Sequence, residues 1–202
     1  MLYCGMRNGF FALISRMRYI QRWGLMRNSD QEDLQQHSFL AAVIAHALAL
    51  IRNTVFNGDI DANAVAAYAL YHDVSEIITG DLPTPIKHNN LELLTAYRRV
   101  EERSIEKLIS MLPNFLRPEY SLLVYNENDD IRALVKAADK LAAYIKCVEE
   151  RVAGNLEFRS AEAQVYATLI ELEIPEVSYF LEHFMPAFGM TLDELTSEAD
   201  HS

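Results

Sequence analysis

Between Ile131 and Val148 an apolar residue returns at every third or fourth position: Ile131, Leu134, Val135, Ala138, Leu141, Ala142, Ile145 and Val148. That is the period of an α-helix with one buried face, sustained for about five turns. It predicts a long core helix, capped at its start by Asp129 or Asp130. In the middle of its apolar stripe, between Val135 and Ala142, stands Asp139, with Ala137, Ala138 and Ala143 around it. An unpaired carboxylate is costly in such a place, whereas a metal ion would satisfy it. The alternative is a partner such as Lys136, Lys140 or a buried arginine.

The rest of the chain carries the same period. Phe10, Leu13, Ile14, Met17 and Ile20 predict a first amphipathic helix ending near Trp23-Gly24, and Arg27 to Asp30 a polar loop. A second helix is expected from about His37 to Arg52. Its Phe39, Val43, Leu50 face is bulky, while Ala41, Ala42, Ala45 and Ala49 permit close packing of a neighbour. Asp61 is expected to cap a third helix running through Glu76. Gly80-Asp81-Leu82-Pro83-Thr84-Pro85 then forms a stiff loop, because proline fixes φ and removes a donor. A long charged helix follows from about Leu91 to Met111, and Pro113 and Pro118 bracket a short element. The remainder, interrupted at Pro175 and Pro186, reads as helical to about residue 197. Strand-like alternation is absent, so the expected fold class is all-α. With 202 residues and no repeat or linker, one domain over 1–202 is expected, its core at about 8–190 and its C-terminal tail disordered.

Charge and cysteines narrow the function. A net charge of -11 without a basic stripe argues against a nucleic-acid polymer as partner. Cys4 and Cys147 are the only cysteines and form no C-x-x-C pair, which excludes a disulfide scaffold and disfavours a thiolate site. No signal-like apolar run opens the sequence, and Arg7, Arg16, Arg18 and Arg22 break any spanning segment there. A cytoplasmic protein away from membranes is expected.

Asp139 has company. His72-Asp73 ends an apolar stretch, His37 lies upstream, and Glu76 follows three residues after Asp73. Two imidazoles and two carboxylates suit a divalent ion such as Zn, Mn, Co or Fe. On a continuous helix His72, Asp73 and Glu76 share a face. Glu76 is then placed to take a proton from water or to orient it; the alternative is a surface glutamate paired along the helix. His46 follows His37 by nine residues and points to the opposite side, on the face of Phe39, Val43 and Leu50. It reads as a core histidine rather than a ligand. His88, His183 and His201 share no motif with the others. Arg22 offers a two-pronged guanidinium fork that would suit the oxygens of an anion such as phosphate; the alternative is a surface arginine near a helix end.

The pattern of a first His, a His-Asp pair and a distant Asp resembles the HD-domain metal-dependent phosphohydrolases. The likeness narrows to bacterial 5'-deoxynucleotidases. It rests on residues 22–28 (RWGLMRN), His37-Ser38, residues 71–76 (YHDVSE), residues 79–85 (TGDLPTP) and residues 135–141 (VKAADKL). The 79–85 loop and the Arg-Trp pair are more specific than the His-Asp pair, and the similarity runs nearly full length. One departure is Gln36, where the family commonly has Glu beside the first histidine.

The resemblance implies a helical bundle with a single metal site between helices, its ligands being His37, His72, Asp73 and Asp139. The only histidine between Asp73 and Asp139 is His88, whereas binuclear members of the wider superfamily insert additional histidines there, which fits one metal rather than two. It implies Glu76 as a catalytic residue and Trp23 as the side chain that leaves no room for a 2'-hydroxyl. Arg22, Trp23, Asp81, Leu82, Pro83, Thr84 and Asp139 would line the substrate site, with Asp81 placed to protonate the leaving 5'-oxygen. The implied reaction converts a deoxyribonucleoside 5'-monophosphate and water to deoxynucleoside and phosphate. A homodimer is also implied, with the apolar Tyr179-Phe180-Leu181 and Phe184-Met185 as candidate contact. One rival is an HD phosphohydrolase acting on a triphosphate, an alarmone or a cyclic dinucleotide, for which the motifs supply mainly Arg22, Arg27, Lys87 and Lys140. A second is a helical scaffold without activity, against which the intact ligand set argues.

Overall fold

The computed structural model describes residues 8–83 and 90–199. Cys4, Arg7, Thr84, Pro85, Lys87, His88 and His201 lie outside the described residues. Among the described residues there are helices and no named strand, as the periodicity demands.

Three helices make the frame: α2 (Leu34–Val55), α3 (Ala62–Tyr71) and the long α7 (Asp129–Val152). Their shared core holds Ala41, Ala42, Ala45 and Ala49 of α2 against Leu134, Ala138, Leu141 and Ala142 of α7. Small side chains on α2 let the helix axes approach closely. The bulky α2 face points the other way: Phe39, Val43 and Leu50 are 64%, 52% and 44% exposed. His46, on that face, is therefore half-buried at the surface rather than in the core. α2 is long and apolar enough to cross a membrane by composition alone, but its alanine face is packed inside the protein.

Caps fix the helix starts. Asp33 Oδ1 accepts from Gln36 N at 2.9 Å and Gln36 Oε1 accepts from Asp33 N at 2.8 Å, a reciprocal capping box. Helix α2 thus begins three residues before His37, and Gln36 is turned to the helix end rather than to the ligand. Asp61 caps α3 through Asn63 N and Ala64 N, as the sequence predicts. Asn128, not Asp129 or Asp130, caps α7, accepting from Asp130 N and Ile131 N; the two aspartates sit in the first turn.

The expected first helix stops early. α1 (Phe10–Ile14) tightens into a 3-10 turn (Ser15–Tyr19), and Ile20 is extended. Gln21 then pairs with Asp33, with Arg22 N bonded to Glu32 O and Leu34 N to Ile20 O, each at 2.9 Å. That pairing consumes the backbone groups a helix would need.

α3 also ends sooner than its apolar run suggests. The Ala69 carbonyl, which would accept from Asp73 N–H in a continuing helix, accepts from His72 Nδ1 at 2.7 Å instead. Residues 72–75 form tight turns before α4 (Glu76–Thr79), which Gly80 closes at φ +74. Behind this turn a second apolar cluster of Phe10, Val74, Leu108, Leu112 and Val124 joins it to α1, α5 (Leu91–Ser110) and α6 (Arg117–Val124). Pro118 lies in the first turn of α6 rather than before it.

The chain closes with α8 (Arg159–Glu171), α9 (Pro175–His183) and α10 (Leu192–Ala199). Phe180 is buried in the main core, with Tyr179, Leu181 and Met185 packed against it. The apolar residues of this stretch are mostly core, and of them only Phe184 is exposed, at 45%.

Candidate active site

His37 enters from the first turns of α2, His72 and Asp73 from the turn after α3, and Asp139 from the middle of α7. Each offers one ligand atom, and the four atoms all lie within 4.8 Å of one another. His37 Nε2 is 3.1 Å from Asp139 Oδ1 and 3.8 Å from Asp73 Oδ2. His72 Nε2 is 3.1 Å from Asp73 Oδ2 and 4.0 Å from Asp139 Oδ1. Ligands about 2.1 Å from one ion are about 3.0 Å apart when cis in an octahedron, about 3.4 Å at tetrahedral angles and about 4.2 Å when trans. The observed separations span that range.

The chemistry of His72 is a second test of fit. A carbonyl only accepts, so Nδ1, bonded to Ala69 O, carries the proton of the neutral ring. Its Nε2 is buried without a hydrogen bond, facing a carboxylate oxygen, lone pair to lone pair. Such a pair needs a cation between its members. The same field acts on the proton: burial opposes an imidazolium, but Asp73 and Asp139 prevail and push His72 up to about 9. Asp73 and Asp139 are both held below the usual carboxylate range: burial works against this, and the facing histidines, with Lys140 at Asp139, outweigh it. Asp139 Oδ2 also accepts from Lys140 Nζ at 3.0 Å, so the lysine partner foreseen as an alternative is present beside the His37 contact. A divalent ion fits this set.

Arg22 and Trp23 stand at the rim, and one residue holds both. Glu32 Oε2 accepts from Arg22 Nε at 3.2 Å and from Trp23 Nε1 at 3.0 Å. Arg22 Nη1 reaches to 3.5 Å from Asp73 Oδ2, so the guanidinium bridges Glu32 and the ligand group. Trp23 has φ +58, a left-handed conformation that costs a bulky residue about 1–3 kcal/mol and persists only where its surroundings fix it. Met26 N bonds to Trp23 O at 2.8 Å, and the indole lies against Phe158, with ring centroids 5.3 Å apart. Sequence reasoning missed Glu32. In the run Gln31-Glu32-Asp33 it looks like any loop acid, and only the backbone pairing of residues 20–22 with 32–34 brings it to Arg22.

Arg22, Trp23, Asp81, Pro83, Lys140 and Val165 contribute to one cleft of about 380 Å³. Burial pushes the Asp81 carboxyl up, against the pull of Arg22. Leu82 is not among the lining residues, and Thr84 lies outside the described residues. The α8 wall of the cleft, with Gln164, Val165 and Thr168, had no signal in the sequence. Glu76 is buried at the first position of α4, its amide bonded to Asp73 O at 2.9 Å. Arg27 is not a cleft residue: its guanidinium is 91% exposed and paired with Glu157.

Comparison with known proteins gives a consistent picture. The sequence matches the family described as 5'-deoxynucleotidase YfbR-like over residues 9–188. A 5'-deoxynucleotidase of Yersinia pestis is 46% identical over 194 residues, covering 94% of this chain and 98% of that protein. The same figures hold for a 5'-deoxynucleotidase of Yersinia pseudotuberculosis. Among solved structures, an HD-domain phosphohydrolase from Listeria innocua superposes with a TM-score of 0.77 at 25% identity, over 94% of this chain and 95% of that one. A cyanophage S-2L HD phosphohydrolase, solved with dA and one catalytic Zn2+ ion, shares the fold at a TM-score of 0.62 and 18% identity, over 85% of this chain and 93% of that one. The helical fold is thus shared with HD-domain phosphohydrolases, and the chain is a member of the YfbR-like 5'-deoxynucleotidase family.

Proposed function

We infer that this protein hydrolyses deoxyribonucleoside 5'-monophosphates to deoxynucleosides and phosphate, using a divalent ion held by His37, His72, Asp73 and Asp139. The observation that carries this is the meeting of those four side chains, from three separate segments, beside a cleft lined by Arg22 and Trp23. Five carboxylates stand in or near it (Glu32, Asp73, Glu76, Asp81 and Asp139) against Arg22 and Lys140. A phosphate dianion enters such a field only with further positive charge. A divalent ion supplies it, together with a lowered pKa for water and a polarised phosphoryl group.

The chain's own residues do the rest. Arg22 binds phosphate oxygens with the terminal nitrogens that Glu32 leaves free. Trp23 walls the sugar so that a 2'-hydroxyl has no space. Glu76 accepts the proton of the attacking water as its oxygen bonds to phosphorus. Asp81 gives a proton to the 5'-oxygen as the P–O bond breaks, a role that a carboxyl raised by burial suits. The cleft's described cations, Arg22 and Lys140, match one phosphate group better than three.

The chain is further proposed to act in the cytoplasm as a single-domain homodimer. Its cysteine usage supports the reducing compartment, and the apolar face of α2 supports the dimer. The decisive experiment is steady-state hydrolysis of dAMP and AMP by purified protein of measured metal content. Stoichiometric divalent ion and a clear preference for dAMP are expected. Equal rates for the two nucleotides, or full activity without any ion, would overturn the reading.

A further inference from the structure

The reading above gives the phosphate to Arg22 and the sugar to Trp23, and leaves open what sets the two side chains relative to each other. They are neighbours in sequence, but consecutive residues point in different directions. An arginine fork and an indole have enough torsional freedom to miss a common ligand. Something must fix both.

Glu32 is built for this. Its side chain is 11% exposed, and its Oε2 receives the Arg22 Nε–H and the Trp23 Nε1–H together. Nε is the rear edge of the guanidinium, so anchoring it turns the terminal nitrogens forward, where Nη1 meets Asp73 Oδ2. Nε1 is the only hydrogen-bonding atom of the indole, so anchoring it fixes the ring plane. The backbone adds a third tie, Arg22 N to Glu32 O at 2.9 Å, which puts Glu32 beside the pair. A bond to a carboxylate is also stronger than one to a neutral oxygen. Trp23 needs such a hold, because its left-handed backbone is not one it would adopt unaided.

We propose that Glu32 is the positioning residue of the cleft, whose one carboxylate oxygen locks the Arg22 phosphate clamp and the Trp23 sugar wall into a single unit. This rests on the deoxynucleotidase reading for its consequence, but not for its geometry. Losing Glu32 loosens both groups at once. Phosphate binding weakens, and the bias against the 2'-hydroxyl falls, while the four ligand side chains stay in place.

Two measurements test it on Glu32→Gln, which keeps the shape and removes the charge, and on Glu32→Ala. Trp23 is the only tryptophan in the chain, so intrinsic fluorescence reports on it without any substrate. Acrylamide quenching of that emission is expected to rise by about twofold in Glu32→Ala, with a smaller rise in Glu32→Gln, as the indole loses its anchor. Kinetically, KM for dAMP is expected to rise about tenfold in Glu32→Gln with metal content unchanged, and the dAMP-to-AMP preference in kcat/KM to fall by a similar factor. A role limited to stability would lower both substrates alike. A double-mutant cycle with Trp23→Phe, which keeps an aromatic ring, though a smaller one, and removes the N–H, is expected to be non-additive in that preference. Unchanged quenching in both variants overturns the proposal whatever the substrate. Unchanged preference and KM, or strict additivity, overturns it as well. If the wild-type protein shows no deoxy preference while quenching responds to Glu32, the lock stands and the substrate reading fails.

Discussion

Glu76 sits buried directly after the turn that carries His72 and Asp73, and it is not one of the four grouped ligands. Glu76→Ala should therefore leave divalent ion bound at the wild-type ratio while turnover of dAMP falls by about 10²–10⁴, the range for losing a general base. Metal analysis beside steady-state rates checks both halves, and wild-type turnover would remove Glu76 from the mechanism. Trp23→Ala should fail differently. Hydrolysis of dAMP survives, and AMP gains relative to it, because exclusion by shape is a difference between two affinities. An unchanged ratio would reduce the indole to a core aromatic lying on Phe158. Which residues to test was legible in the sequence, because ligand types and a helical period can be read residue by residue. Glu32 was not: what distinguishes it is a backbone pairing between two irregular segments, and no periodicity records that. Gln36 was legible as a departure, but not its part in the capping box, which depends on where α2 begins.

At the scale of elements, the irregular stretch after Trp23 is held by α7. Glu150, 2% exposed, accepts from Ser29 N at 2.9 Å, from Asn155 Nδ2 at 2.7 Å and from Lys146 Nζ at 2.5 Å, while Lys146 also bonds to the Asp30 carbonyl. Burial alone would raise the Glu150 carboxyl, but Lys146, Asn155 and the Ser29 and Asp30 amides outweigh it and hold it at about 2. A carboxylate depressed in the folded state stabilises fully above its unfolded value near 4.5, and this contribution is lost as pH falls from there through about 2. Glu150→Gln should thus cost about 3 kcal/mol at neutral pH, since it strands a buried lysine. Between about pH 4.5 and 2 its stability should also change less than that of the wild type. Urea denaturation across that pH range measures both, and parallel curves for the two proteins would refute the assignment. From sequence, Lys146 and Glu150 are only a helical i,i+4 pair, worth a few tenths of a kcal/mol; their loop partners Ser29 and Asp30 lie 116 to 121 residues earlier. Element type was legible for the same reason that this network was not. Helical period is local, whereas the ends of α1 and α3 are set by what the backbone bonds to next, Glu32 and Leu34 in one case and the His72 ring in the other.

For the whole molecule, the site and the core are separable. The main cluster packs α2, α3 and α7 through Ala, Leu, Val and Ile, contacts that need no ion. Removing the ion should leave the helices formed. At ion concentrations about a hundredfold above Kd, binding adds about 2.7 kcal/mol, which for a chain of this size corresponds to about 5–10 °C in Tm. Chelation should therefore abolish turnover and lower Tm by that amount, with the far-UV circular dichroism of the folded state unchanged. Loss of helix on chelation would mean that the ion organises the fold rather than the chemistry.

The proposed dimer belongs to the same scale, and its candidate contact is the face of α2 that the core does not use. Phe39, Val43 and Leu50 follow one side of a long helix, and Val55 and Phe56 at its end are 43% and 42% exposed. Soluble monomers seldom leave so much contiguous apolar surface uncovered. A second copy is the simplest cover, because two-fold pairing sets the same stripe against itself and needs no other partner. The C-terminal residues first considered for this contact, Tyr179 to Met185, are mostly spent in the core. On this reading light scattering at micromolar concentration gives about twice the 23.1 kDa of one chain. Phe39→Glu, which sets two like charges across the two-fold axis, shifts the mass to one chain while metal content stays at the wild-type ratio. A wild-type mass of one chain ends the dimer proposal. A dimer that survives Phe39→Glu moves the contact off α2 and leaves the exposed stripe without an occupant.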